Sequence, residues 1–485
     1  MPPGRAIGPF LYLPIEVASR ELHAKLLLAY FAVAAGFEVV IGWKRLLNRN
    51  FRYVPPGVVL FKTLTANDGA AMREARAAGH SIASLDEEVP GLVTMQQKLR
   101  WVAAESVAAS DLIFALGAEH AEALQHFYPE QAGRCHVVGN PRWDLLRPEL
   151  RGSHDGEVAA IRAQHAPFIL VNTNFAALNS SRRTPEETAR WFVKTGRVDL
   201  RKPEDAVFLD EIFQMERANS AAVRALLREL PARFPGHRVI VRPHPIERAE
   251  TWSEFLRDIP RTTMIRDGAA VPWIMAADAL VHTNCTTGVE AFALDKPAIS
   301  LQPAALALGE IYLANRINYC TRTVPETLDL LQRLVGRAAS ESAYPADYAA
   351  TFGRFFAGTT GPFAGERIVQ ALRQVPAFGP SPSAERPQWQ PRPGYRQATR
   401  VRKHHRLVMP AIDRAAVEQV LQGFNRALGT QHRFRVEPCG QLLFHVHGAA
   451  QPAAHALPGE LESWLHRMWP RRRHAGDDAT AAPGR

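Results

Sequence analysis

Cysteine is scarce in this chain: only Cys135, Cys285, Cys320 and Cys439 occur among 485 residues. No two of them form a Cys-x-x-Cys pair. The spacing therefore indicates neither a disulfide framework nor a cysteine-ligated zinc site, and it fits a reducing cytoplasm. We expect a cytoplasmic protein.

Long apolar runs are also missing. The segment that comes nearest, Leu26 to Phe37, has about twelve residues, whereas a helix that crosses a bilayer needs about twenty. Gly36 and Glu38 interrupt it where a helix would end and a strand begin. Met1 is not followed by the apolar core and small-residue cleavage site of a signal peptide. We therefore predict neither a membrane span nor an export signal.

Acidic residues are outnumbered, since 58 Lys and Arg against 48 Asp and Glu give a formal net charge of +10. Such a surplus favours polyanionic partners, which include nucleic acid, an anionic membrane and phosphorylated substrates. The basic residues are spread out and form no recognised nucleic-acid-binding motif, so we expect no nucleic-acid partner. Apolar residues make up 46% of the chain, enough for sizeable cores.

The order of strands and helices predicts an α/β fold with two Rossmann-like, doubly wound lobes. Short apolar strands alternate with helices of about ten residues, which is typical of parallel βαβ units. We assign residues 1–150 to the first lobe and residues 151–377 to the second.

The composition changes near residue 378. Residues 378–400 are predicted to be a Pro-rich linker, residues 401–470 a small basic α+β extension, and residues 471–485 a disordered tail. The extension has a helix–strand–strand pattern. The basic run from Arg400 to Arg406 predicts peripheral contact with the anionic inner membrane, and each basic residue near such a surface contributes about 1 kcal/mol.

Polar residues are concentrated just beyond the predicted strands, where doubly wound sheets bind ligands. One such segment holds Arg242, Pro243, His244, Pro245 and Glu247. The arginine and the histidine can donate to a phosphate, the glutamate can accept from ribose hydroxyls, and the prolines stiffen the turn. The alternative is a structural turn with a solvated charge pair.

A second segment of this lobe follows a strand and opens a helix. Free N–H groups and partial positive charge at a helix N-terminus favour a phosphate. Thr286 and Thr287 can add hydroxyl donors. We expect a nucleotide to contact these two residues together with Asn284 and Glu290. The alternative is an ordinary helix cap.

An acidic loop, Asp86-Glu87-Glu88, follows a strand of the first lobe. Neighbouring carboxylates repel each other, which raises the pKa of one of them toward the range used in general acid/base catalysis. We therefore take Glu87 and Glu88 as candidate catalytic residues. The alternative is a hydrated acidic loop.

The segment from Gly139 to Asp144 also follows a strand. Asp144 could serve as a nucleophile or an orienting group, and Arg142 as a partner for phosphate or carboxylate; the alternative for Asp144 is a helix cap. Further candidate binding residues at strand ends are Lys62, Asn172, Asn174, Glu16 and Arg20. For Arg20 the structural alternative is a solvated charge in the first turn of a helix.

These segments together resemble the bacterial surface carbohydrate biosynthesis protein family. The matching stretches lie in the family's order across about residues 8–375 and comprise five polar segments and the first strand–helix junction. The His-Pro segment and the acidic loop also resemble GT-B-fold transferases that use CMP-activated acids, namely bacterial sialyltransferases and β-Kdo transferases.

The resemblance implies a GT-B-like glycosyltransferase of capsule or O-antigen assembly. It implies that His244 contacts the CMP phosphate or ribose, that Glu88 is the acid/base, and that Asp144 is the nucleophile of a retaining mechanism. Val89 and Pro90 separate Glu88 from Gly91, which differs from the sialyltransferase pattern.

The expected substrates are a nucleotide-sugar donor, CMP-Kdo or a related CMP-sugar, and a glycan or lipid-linked acceptor. We expect no cofactor and no metal, because cationic side chains and helix termini can hold the phosphate. Two alternatives stay open: a transferase for CDP-glycerol or another nucleotide sugar, and a non-catalytic polysaccharide-assembly adaptor.

Overall fold

A computed structural model describes residues 10–87, 92–94, 99, 102–337, 342–373, 389–401 and 409–448. In this part of the chain, 14 strands form two sheets. No helix among the described residues is long and apolar enough to cross a membrane.

The first lobe contains a sheet whose first six strands are all parallel. They are β1 (Phe10–Ile15), β2 (Glu38–Trp43), β3 (Val58–Phe61), β4 (Ser81–Leu85), β5 (Leu112–Ala115) and β6 (Cys135–Val137). The helices of this lobe are α1 (Ala18–Ala34), α2 (Lys44–Asn48), α3 (Ala66–Ala77), α4 (Ala104–Ala109), α5 (Ala118–Phe127), α6 (Pro141–Asp144) and α7 (Pro148–Arg151). Every residue of β1 and β2 is buried, as expected where helices cover both faces of a parallel sheet.

The second lobe has a six-stranded parallel sheet in the order β12-β11-β10-β7-β8-β9. Its strands are β7 (Phe168–Asn172), β8 (Arg238–Arg242), β9 (Thr262–Met264), β10 (Ala279–His282), β11 (Ala298–Leu301) and β12 (Tyr319–Thr321). The remaining helices before residue 374 are α8 (Asp155–His165), α9 (Pro185–Lys194), α10 (Pro203–Arg233), α11 (Ala249–Leu256), α12 (Ala270–Ala276), α13 (Thr286–Ala293), α14 (Val324–Val335), α15 (Ala346–Phe355) and α16 (Ala364–Arg373). The two sheets confirm the predicted fold class of two doubly wound α/β lobes.

The predicted helix–strand–strand pattern near the C-terminus is present as α17 (Arg414–Leu428), β13 (Phe434–Gly440) and β14 (Leu443–Gly448). Strand β14 pairs antiparallel with β2, so the hairpin adds two strands to the first sheet. The ring of Tyr30, on α1, packs against Phe424 and Phe434 of this element. The extension and the first lobe therefore share a sheet and a core, which the sequence does not indicate.

The loops at the carboxyl ends of the two sheets meet. Arg142 follows β6 in the first lobe and forms an ion pair with Glu290 on α13 of the second. The backbone N–H of Val93 donates to the carbonyl of Ile311, and that of Ala357 to Leu116, 2.8 and 2.7 Å away. We refer to the boundary between these loops, where Arg142 of the first lobe meets Glu290 of the second, as the cleft.

Candidate functional site

The first lobe contributes Lys62, which follows β3, to the cleft. Its Nζ lies 2.8 Å from Oε2 of Glu16 and 3.2 Å from Oε1 of Glu21. Glu21 also accepts hydrogen bonds from the backbone N–H groups of Glu16 and Val17, at 2.8 and 3.2 Å. The buried Glu21 thus accepts hydrogen bonds from backbone N–H groups at the start of α1 and also positions Lys62.

Glu87, in the acidic loop, is ion-paired with Lys25. Its Oε1 lies 2.9 Å from Nζ of Lys25, a residue of α1 that is only 2% exposed. The backbone N–H of Glu87 donates to the carbonyl of Lys62 at 2.8 Å, which fixes the loop to β3. Glu87 thus compensates a buried cation. Glu88, the predicted acid/base, lies outside the described residues.

Arg142 connects the two lobes. Arg142 lies in the short helix α6, which is capped by Asn140. Oδ1 of Asn140 accepts a hydrogen bond from the backbone N–H of Arg142 at 2.8 Å. Its guanidinium donates to Oε1 of Glu290, which is 1% exposed. Burial alone would lower the pKa of Arg142, but Glu290 holds that pKa above its ordinary value. The same guanidinium lines a small pocket with Arg20 and Glu87.

Asp144 caps helix α16. Its Oδ1 accepts from the N–H of Ala364 at 2.9 Å and its Oδ2 from that of Gly365 at 3.0 Å, and the side chain is 1% exposed. Burial raises the pKa of Asp144 to about 6, although the hydrogen bonds from the two backbone N–H groups lower it. Because both oxygens are engaged at a helix N-terminus, the geometry favours the capping alternative over a nucleophile.

His244 presents a neutral imidazole in the second lobe. Its Nδ1 accepts from the backbone N–H of Ile246 at 3.2 Å. Burial, with the charges of Arg20 and Arg266, lowers its pKa to about 4. Since Nδ1 accepts, the ring proton sits on Nε2, which can donate to a ligand oxygen. Arg20 belongs to the first lobe, and its charge lowers the pKa of His244, so this histidine lies near the boundary between the lobes.

Glu247 is fully buried and is used within the protein. It accepts from Oγ1 of Thr173 at 2.7 Å, from the backbone N–H of His244 at 3.0 Å, and from Nε1 of Trp252 at 2.9 Å. Neither oxygen is left for a ribose hydroxyl, in contrast to the expectation from the sequence. Its role in this geometry is to position His244.

Arg242 also turns inward rather than toward a phosphate. It donates to the carbonyls of Asp267 and Gly268, at 2.8 and 2.9 Å, and its guanidinium lies 4.9 Å from the centroid of Trp273. Burial lowers its pKa to about 10, so it stays cationic. Carbonyl oxygens and an aromatic face compensate that charge. Pro245 is exposed, at the outer end of the same turn.

Asn284 shapes the turn before α13. Its backbone is left-handed, with φ of 52°, a conformation that asparagine tolerates better than most residues. Its Oδ1 accepts from Gln302 and Asn315, at 2.8 and 2.7 Å. The side chain is thus engaged, and its structural effect is to aim the first turn of α13. Thr286 and Thr287, both half-buried, lie in that turn.

Five buried polar atoms near these loops have no hydrogen-bond partner among the described residues. They are Oδ1 of Asn172, Nε2 of His282, Oγ1 of Thr283, Oγ1 of Thr287 and Oε2 of Glu290. Asn172 and His282 end β7 and β10, Thr283 follows β10, and Thr287 and Glu290 lie on α13, so all five belong to the carboxyl-end side of the second sheet. Buried polar groups are normally paired, so these atoms are available to form hydrogen bonds with a ligand. Asn174, two residues beyond Asn172, is half-buried.

Glu216 is a buried residue of this region that the sequence analysis missed. It accepts from the N–H groups of Ala177, at 3.0 and 3.1 Å, and Leu178, at 2.9 Å. Burial raises its pKa to about 8. Glu216 and Asn219 interrupt the buried face of α10, and this break in the apolar pattern is the signal that could have revealed them.

No family model and no curated protein matches this chain. Among solved structures, a UDP-N-acetylglucosamine 2-epimerase aligns with a TM-score of 0.46 and 13% identity, covering 80% of this chain and 100% of that one. The UDP-GlcNAc 2-epimerase from Methanocaldococcus jannaschii aligns with a TM-score of 0.41 and 15% identity, covering 72% and 81%. The wall teichoic acid polymerase TagF aligns with a TM-score of 0.43 and 10% identity, covering 76% and 89%. At these TM-scores the similarity assigns neither a family nor an activity.

Proposed function

We propose that this chain is a glycosyltransferase of bacterial surface polysaccharide biosynthesis that uses a nucleotide-activated sugar. One observation carries the proposal: the cleft combines a neutral histidine donor, cationic side chains and buried polar atoms without partners. Such a set suits a ligand with a charged phosphate and several hydroxyl groups. The acceptor is a glycan or a lipid-linked glycan of capsule or O-antigen assembly.

The donor phosphate would bind between His244 and the first turn of α13. Nε2 of His244 donates from one side, and the N–H groups and hydroxyls of Thr286 and Thr287 donate from the other. Arg20, exposed at the start of α1, adds positive charge from the first lobe. These groups can neutralise the phosphate without a metal ion.

Transfer would proceed by attack of an acceptor hydroxyl oxygen on the anomeric carbon of the donor. The bond from that carbon to the phosphate oxygen breaks, and the hydroxyl proton passes to a carboxylate, for which Glu88 remains our prediction. Negative charge develops on the leaving phosphate, where His244 and Arg20 can stabilise it. Glu87, paired with Lys25, would hold the acidic loop in place.

For the donor we propose a CMP-linked sugar acid, Kdo or a related compound, on the basis of the resemblance of the His-Pro segment and the acidic loop. A sugar acid carries a carboxylate in addition to the phosphate. Arg20, which lines the pocket beside the ion-paired Lys62 and Arg142, is suited to this second negative charge.

Calorimetric titration with CMP, CDP and UDP tests the proposal. We expect CMP to bind most tightly and the His244→Ala variant to bind about 10–100-fold more weakly, because one hydrogen bond to a charged group is lost. His237→Ala is the matched control, since His237 precedes β8 and lies at the opposite end of that strand from His244.

Each outcome has a clear meaning. Preference for CDP or UDP would overturn the CMP assignment and favour CDP-glycerol or another nucleotide sugar as the donor. Absence of binding to all three nucleotides, or equal binding by His244→Ala and the parent, would overturn the transferase proposal and favour an assembly adaptor.

We also propose that the basic run from Arg400 to Arg406 contacts the anionic inner membrane. Residues 402–406 lie outside the described part of the chain. Replacing the basic residues of this run by glutamine should reduce co-sedimentation with anionic vesicles, whereas vesicles of neutral lipid should not bind either protein. Unchanged co-sedimentation of the variant would contradict the proposal.

A further inference from the structure

The C-terminal hairpin carries a group of metal-binding side chains on one face. His445 and His447 are two residues apart on β14 and therefore point to the same side of the sheet. Glu437, on β13, stands opposite His445 in the strand register. One ligand atom from each of the three lies within 4.8 Å of the others.

Each histidine is held through one nitrogen by a group outside this trio, and Nε2 of His447 lies 3.8 Å from Oε1 of Glu437. Nε2 of His445 lies 2.7 Å from Oε2 of Glu38, and Nδ1 of His447 lies 3.2 Å from the carbonyl of Gly448. Metal-binding histidines commonly donate their second ring N–H to a carboxylate or a backbone carbonyl. The two imidazoles of this hairpin have both kinds of partner.

The charges of the group also favour a cation. Glu38, His445 and His447 are buried and Glu437 is half-buried, so two carboxylates face two imidazoles with little solvent. The ring centroids of the two histidines lie 4.8 Å apart. A divalent ion near both rings would balance the negative charge of the carboxylates.

We propose that Glu437, His445 and His447 bind one zinc ion. Imidazole nitrogen with a carboxylate oxygen suits zinc, whereas calcium and magnesium prefer oxygen ligands alone. Tetrahedral zinc with bonds of about 2.0–2.1 Å spaces its ligands by about 3.3 Å, so side-chain movements of about 1 Å close the site. A water molecule completes the coordination.

The site would fasten the hairpin rather than take part in sugar transfer. Its two histidines lie on β14, the strand that joins the C-terminal element to β2, and Glu38 belongs to β2 itself. The zinc would thus link both strands of the hairpin directly, and β2 through the bond from Glu38 to His445.

Zinc titration of the chelator-treated full-length protein tests this proposal. We expect one tightly bound equivalent, and a visible absorption band of tetrahedral geometry when cobalt replaces zinc. Glu437→Gln and His447→Gln should each remove that equivalent. Glu38→Gln should weaken binding about 10–100-fold, because it removes only the outer partner of His445.

A His404→Ala/His405→Ala variant is the control for adventitious binding by other histidines, and it should bind zinc like the parent. Glu437→Gln changes a half-buried side chain without changing its size, so it tests the site in a folded protein; circular dichroism checks this. The proposal is overturned if the parent binds no zinc, if Glu437→Gln and His447→Gln keep the full equivalent, or if the control variant loses it.

Discussion

Replacing Glu247 tests whether a buried carboxylate organises the cleft. Glu247→Ala removes the acceptor of three buried donors: Oγ1 of Thr173, the backbone N–H of His244 and Nε1 of Trp252. Each buried donor left without a partner costs about 1–3 kcal/mol, so we expect the free energy of unfolding to fall by about 3–9 kcal/mol. Glu247→Gln keeps one acceptor oxygen but turns an amide N–H₂ toward another donor. We expect this variant to lower the free energy of unfolding by about 1–3 kcal/mol.

Urea denaturation followed by circular dichroism measures these changes. Glu254→Ala is the matched control, because Glu254 is exposed on the helix that follows Glu247, and its change should stay within about 0.5 kcal/mol. Nucleotide titration of Glu247→Gln adds a second measurement, since a displaced His244 should weaken binding in a protein that still folds. A loss for Glu247→Ala that does not exceed that of Glu254→Ala would refute the reasoning.

Three further predictions concern titratable groups in or near the cleft. The pKa of Asp144 in the folded protein, about 6, lies above its value in the unfolded chain, so the parent should lose stability as the pH rises from about 4 through 6. Asp144→Asn should remove this dependence on pH, and urea midpoints measured across that range test it. Arg142→Gln should destabilise the protein by about 3–5 kcal/mol, because it leaves buried Glu290 unpaired, and Arg142→Gln/Glu290→Gln should be more stable than the single variant; the opposite order in urea denaturation would contradict the interlobe pair. His244 should donate as a neutral ring, so the affinity of a nucleotide sugar relative to His244→Gln should stay constant in titrations between about pH 5.5 and 8. A fall of that ratio near pH 6.5 would indicate a charged imidazole instead.

The sequence predicted the fold well because the relevant signals are local. Runs such as residues 168–171 and 239–241 are short, apolar and separated by helices, and they lie in β7 and β8. The polar segments after these strands were predicted from the same pattern. Arg142 and Glu290 meet because parallel strands bring their carboxyl ends to one edge of each sheet.

The roles of individual side chains could not be predicted in the same way, because they depend on partners distant in the sequence. Glu247 accepts a hydrogen bond from Thr173, which is 74 residues away in the sequence. Asp144 caps a helix that begins 220 residues further along the chain. The histidines of the hairpin were overlooked for the same reason, since His445 meets Glu38 across 407 residues. The sequence alone does not distinguish a carboxylate that stabilises a loop from one that binds a substrate.

The pairing of β14 with β2 has a consequence for biosynthesis. About 400 residues separate the two strands, and at roughly 5–20 residues per second a ribosome needs about 20–80 s to produce the second after the first. During that time one edge of β2, whose residues are all buried in the finished protein, has no neighbour of its own chain. Exposed apolar edges pair with other chains, so the nascent first lobe should depend on chaperones until the hairpin emerges.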